Sequence, residues 1–163
     1  MKTVILTACA ALFALGFAAQ GPEVDNSKLQ PLIGDWEGTA SINESPKTAS
    51  SITGSKALSS NWIKLDLKFV LEEAGPVEAV GYICSNKEGV VEGHFIASFS
   101  PNGLTGKGKV DGKKLTLLVR DLSGEETMEF VFDMTVTDEL KFSVKATEGD
   151  DPEHMAGSYK RKK

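Results

Sequence analysis

Gly34-Asp35-Trp36-Glu37-Gly38-Thr39 stands where a short amphipathic lead-in ends and a long series of strand-like segments begins. A Trp held between two glycines on an extended segment suits the first strand of a closed β-barrel. The indole supplies a large plug near the floor, and the glycines let backbone or neighbouring rings come close. A buried Trp in an open antiparallel sheet would account for the hexapeptide equally well. The decision therefore rests on what surrounds it.

Upstream, Asn26 or Ser27 is placed to cap a short helical turn carrying Leu29, Leu32 and Ile33, which Pro31 restricts to a first turn. Before that turn, residues 20–28 read as a polar linker. At the start, Met1-Lys2 is followed by an uncharged apolar run from Thr3 to Phe17, with small residues at Gly16, Ala18 and Ala19. This pattern predicts a secretory signal peptide over 1–19, too short to span a membrane, cleaved after Ala18 or Ala19. Leu6-Thr7-Ala8-Cys9 imitates a lipoprotein cleavage box, but the apolar run continues past Cys9 instead of preceding it. The expected address is periplasmic or extracellular, with no membrane span after cleavage. The barrel domain is expected over 29–163.

Cleavage removes Lys2 from the 18 Lys and Arg residues, leaving 17 against 23 acidic ones, a net charge of −6. Nucleic-acid binding draws on a basic footprint, and this chain lacks one. The terminal Lys160-Arg161-Lys162-Lys163 reads as a solvated strand end and tail. Cys84 has no partner once Cys9 is gone, so no intrachain disulfide is expected, and a small buried hydrophobe is its expected role.

Downstream, the pattern becomes regular. In Asp35 to Ile42, Trp36, Gly38, Ala40 and Ile42 share one face. In Trp62 to Leu71, Ile63, Leu65, Leu67, Phe69 and Leu71 alternate with Lys64, Asp66 and Lys68, the period of two that marks a sheet with one wet face. Val77, Ala79, Gly81 and Ile83 repeat the alternation. Pro101-Asn102-Gly103 and Asp111-Gly112 read as tight hairpin turns. Met128, Phe130, Phe132, Met134 and Val136 share a face, as do Leu140, Phe142, Val144 and Ala146.

About ten short strands joined by short turns predict an all-β, antiparallel up-and-down barrel behind a short N-terminal helical turn. Closure removes the exposed edges that a meander of this length would otherwise carry. Eight strands already fill a barrel interior with side chains, so ten are expected to enclose a cavity. Its expected lining is Trp36, Ile63, Leu65, Leu67, Phe69, Phe130, Phe132, Met134 and Phe142. Such a lining suits a small apolar ligand.

The run Leu29-x-x-Leu32-Ile33-Gly34-x-Trp36-x-Gly38, with a closing Tyr159-Lys160-Arg161-Lys162 strand, resembles the calycin-like barrels: lipocalins, fatty-acid-binding proteins and nitrobindins. The chain is most similar, over its whole mature length, to a bacterial family of unknown function related to the nitrobindins. The resemblance implies a barrel that holds a small hydrophobic or amphipathic ligand. Lipocalins add a Thr-Asp-Tyr turn and a late Arg over the Trp, and the sequence reading finds neither. Nitrobindins bind haem through a His five residues before a Tyr in the closing strand, and His154 stands five before Tyr159. The further Gly of the nitrobindin opening and a second His are absent here. Acidic Asp150, Asp151 and Glu153 surround His154, whereas haem needs a dry, apolar wall. A solvated loop histidine is expected, with haem as the alternative cofactor.

Catalytic signatures are missing. No nucleophile elbow, Walker loop or His-Glu-x-x-His helix occurs, and Gly106-Lys107-Gly108-Lys109 has no helix after it to bind phosphate. His94 alternates with Phe95 and belongs to the outer face. The carboxylate pairs Glu72-Glu73, Glu125-Glu126 and Asp150-Asp151 are adjacent residues that point apart. Three functions survive: a non-catalytic binder of a small apolar ligand, a haem protein using His154, and an interaction protein with a filled barrel. The first is the expectation.

Overall fold

The structure is a computed structural model that describes residues 23–43, 45–71, 75–98, 100–121, 127–147 and 154–163. The expected signal peptide and the three carboxylate pairs lie outside the described residues. A six-residue 3-10 helix, Ser27–Leu32, leads into ten antiparallel strands. These are β1 (Gly34–Ile42), β2 (Thr48–Ala57), β3 (Trp62–Leu71), β4 (Gly75–Ser85) and β5 (Val90–Ala97). They continue as β6 (Ser100–Asp111), β7 (Lys114–Asp121), β8 (Thr127–Asp133), β9 (Glu139–Ala146) and β10 (His154–Arg161). Each strand pairs with its sequence neighbours, and β1 pairs with β10 to close the barrel.

The alternation seen in the sequence becomes inside and outside. Ile63, Leu65, Leu67 and Phe69 of β3 are buried, while Lys64 and Asp66 between them lie outside and form an ion pair at 2.7 Å. In β5 the strict buried–exposed alternation puts Val91, Gly93, Phe95 and Ala97 inward. Along the closing seam, Trp36 faces Arg161, Gly38 faces Tyr159 and Ala40 faces Gly157. A slip of one residue would turn every one of these side chains to the wrong face, so burial on one side fixes the register.

Glycine admits the largest rings. The Phe95 ring lies over β4 and its own strand so closely that a Cβ on Gly81 would come within 2.5 Å of it, and one on Gly93 within 2.9 Å. An aromatic packed over backbone covers surface that no side chain is there to cover.

Several local readings are corrected. Pro101-Asn102-Gly103 is not a turn: β6 begins at Ser100, and the chain reverses before it, beside a register shift between Phe95 and Ala97. The register shifts there by two residues, because Pro101, Asn102 and Gly103 of β6 stand opposite Ile96 alone. Asp111-Gly112 does mark a hairpin, with Gly112 at φ +57°. Val136 is exposed because β8 ends at Asp133, so the alternation no longer applies to it. Asn26 occupies the N-cap position, but its side chain makes no cap bond. Instead Asp25 accepts from the Ser27 N–H at 2.9 Å, and Asn26 turns into the barrel floor.

Candidate ligand-binding site

The barrel has a sealed end and an open end. At the sealed end the 3-10 helix lays Leu29 and Leu32, both fully buried, beneath the interior. Trp36 stands against them, 2% exposed, its Nε1–H donating to the Leu32 carbonyl at 3.1 Å. Asn26 ties this floor to two segments. Its amide donates to the Asn61 carbonyl at 3.0 Å and its oxygen accepts from the Ser85 N–H at 2.8 Å. The Ser85 hydroxyl donates to the Asp25 carbonyl. The stretch read as linker is thus attached to the barrel from Val24 onward, where Val24 bridges Asn86.

Arg161 completes the floor, and this overturns the reading that no late Arg covers the Trp. Its guanidinium lies 4.1 Å from the centre of the Trp36 ring. It donates to the Ile33 carbonyl at 2.6 Å, the Pro31 carbonyl at 3.0 Å and Asp138 at 3.1 Å. A planar donor fork over an indole face combines cation–π attraction with satisfied hydrogen bonds, which a lysine could not reproduce. The basic run around Arg161 concealed it. The signal was there in parity: with Tyr159 inward, Arg161 must start inward too.

The nine residues expected to line the interior are all buried, between 0% and 7% exposed. They fall into groups. Phe142 is the hub of an aromatic cluster, with ring centres 4.5 Å from Phe132, 5.8 Å from Phe130 and 6.0 Å from Phe69. Ile63 and Leu65 lie toward the floor and Phe69 toward the open end, following their order along β3. Trp36 belongs to the floor.

Toward the open end the packing loosens. Ala79, Met128, Val144 and Met155 are only partly buried against the core. A recess of about 520 Å³ opens there on the β1–β4 side, lined by Gly38, Ser50, Phe69 and Val77 from the inner face and by Glu37, Ser51, Lys68 and Glu78 from the outer one. Two of the polar groups here were not anticipated. Ser50 and Tyr159 are both buried, and neither hydroxyl has a hydrogen bond of ordinary geometry. Burial pushes the Tyr159 phenol up to about 12, against a smaller lowering from the nearby Ser50 hydroxyl. Ser50 was hidden in a Ser/Thr-rich stretch whose alternation is blurred by small residues.

His154 is exposed at the start of β10, on the outward row with Ala156 and Ser158. Its backbone N–H donates to the Asn43 side chain at 2.9 Å. These surroundings do not fit a haem, which needs its proximal ligand aimed into an apolar chamber. His94 is exposed as expected, its ring 5.8 Å from Trp62 on the outer wall. Cys84 is half-buried, its thiol pushed up by burial and then by the Glu92 charge, so it is not primed as a nucleophile. Among the described residues no cluster of His, Cys, Asp and Glu is arranged to hold a metal, and no helix is long and apolar enough to cross a membrane.

No protein-family model and no curated protein sequence matches the chain. Solved structures do. Rv2717c from M. tuberculosis superposes with a TM-score of 0.63 over 85% of this chain and 97% of that one, at 17% identity. The two share a fold. EF1p2_mFAP2b bound to DFHBI gives 0.48 at 15% identity, covering 83% and 97% of the two chains. The S-type phycobiliprotein lyase CPES from Guillardia theta gives 0.49 at 12%, covering 82% and 90%.

Proposed function

We propose that the protein is an exported, non-catalytic barrel that binds a small hydrophobic or amphipathic ligand in its interior. One observation carries this reading: the apolar inner wall is sealed at the floor and loosens toward a recess at the open end. A barrel meant only as a scaffold gains nothing from half-buried methionines at its rim, whereas flexible thioethers adapt to a guest. Export rests on the apolar leader of the sequence.

Titration with diphenylhexatriene, an apolar dye that fluoresces when desolvated, is expected to give saturable one-site binding. Native mass spectrometry of protein from its own source is expected to reveal a small-molecule adduct. If neither is found, the barrel is filled and its surface does the work. Haem forms no part of this proposal. Reconstitution with haemin is expected to give no stable five-coordinate ferric spectrum dependent on His154, and a spectrum lost in His154→Ala would displace the apolar-ligand reading.

A further inference from the structure

Ser50 and Tyr159 flank the same residue from opposite sides. Gly38 in β1 pairs with Tyr159 of β10 and with Ser50 of β2. Both side chains point inward, Tyr159 1% and Ser50 9% exposed. The phenol lies along its strand, so that a side chain on Gly157 would run into the Tyr159 hydroxyl. Gly157 therefore clears the space that the Tyr159 hydroxyl occupies, while Gly38 lets the β10 backbone come close.

The pair is under-satisfied. Each hydroxyl carries one O–H donor and lone pairs to accept. Were the two to share a bond, one O–H would still lack an acceptor, and a buried donor without a partner is costly. The other buried polar side chains among the described residues, Asn26 and Ser85, are fully engaged in the floor. Among the described residues no further acceptor is in place for Ser50 and Tyr159, and a guest from outside the chain can supply one. Gly38, Ser50 and Phe69 border the recess, with Tyr159 buried directly behind Gly38, so a guest that enters the recess meets Ser50 first.

The acceptor must also be neutral. Among the described residues no Lys, Arg or His is buried, and the Arg161 guanidinium is committed to Ile33, Pro31 and Asp138. An ionised carboxylate placed here would be a buried charge without a counter-charge. With its pKa pushed up to about 12, Tyr159 stays a neutral donor. We propose that Ser50 and Tyr159 anchor the carbonyl oxygen of a neutral apolar ligand, an ester, ketone or amide, whose body lies against Phe69 and Phe142. Free fatty acids are then poor ligands. This inference rests on the interior-binding reading above and adds to it the chemical class of the ligand.

Two dyes separate the inference from the reading beneath it. Prodan, a naphthyl ketone, carries the acceptor; diphenylhexatriene carries none. The wild-type protein is expected to bind both. Tyr159→Phe should weaken Prodan about tenfold, the loss of roughly one hydrogen bond, and shift its emission to shorter wavelength. The same variant should leave diphenylhexatriene affinity unchanged, which a merely structural lesion would not. Ser50→Ala should act in the same direction and serves if Tyr159→Phe does not fold. Methyl laurate should displace Prodan at lower concentration than ionised laurate. Unchanged Prodan affinity in both variants, or laurate competing as well as its ester, would overturn the anchor while interior binding stood. Failure of the wild type to bind either dye would remove both.

Discussion

Trp36→Ala is expected to lower the unfolding free energy by about 3–5 kcal/mol, read as a fall in the denaturation midpoint in urea. The indole is 2% exposed and packs on the floor residues Leu29 and Leu32. Truncation leaves a cavity where the 3-10 helix meets the first strand, and surrounding structure relaxes only in part. It also strips the Leu32 carbonyl of its donor and Arg161 of the ring it covers. A midpoint within error of the wild type would mean that the floor does not hold the barrel together.

The second large effect is a contrast between neighbours. Leu67→Lys places an ammonium on an inner position that is 3% exposed, and among the described residues no carboxylate is buried to receive it. The cost is several kcal/mol, comparable with the roughly 5–15 kcal/mol that holds a typical domain folded. Lys68→Leu removes an exposed residue whose ion pair with Glu78 spans 3.2 Å. Exposed pairs contribute about 0–1 kcal/mol, so this variant should fold and bind diphenylhexatriene much as the wild type does. Leu67→Lys should lose binding, folding or both. Equal behaviour of the two would mean that the register of β3 is not the one described.

These two expectations could be written from the sequence because period-two alternation is a local signal. It placed Ile63 to Phe69 and Phe130 to Phe142 inside, and the hairpin spacing made a closed meander the economical topology. What escaped were contacts between residues far apart in the chain. Arg161 over Trp36 joins opposite ends of the chain, and its neighbours in sequence are all cations. Asn26 looked like a cap because caps are local, yet its partners are Ser85 and Asn61. The Ser50–Tyr159 pair needs β2 and β10 to be brought beside β1 before it exists at all. Side-chain chemistry at the site is a product of closure, and closure leaves no mark on any one segment.

Closure also has a cost in time. Nine of the ten strand pairings join consecutive strands, so most of the sheet can zip from local hairpins. The β1–β10 seam is different: Arg161 reaches back 128 residues to Ile33. Long-range pairing is entropically late, and β1 must wait with one side of its backbone unpaired while the rest of the chain is made. During that wait it is an open template for another unfinished copy. The ring is therefore expected to shut after the rate-limiting barrier. Loosening the seam with Ala40→Gly should mainly speed unfolding and leave the folding rate nearly unchanged. A folding rate that fell in step with the lost stability would place the seam in the nucleus, and the hairpins would then follow the closure instead of leading it.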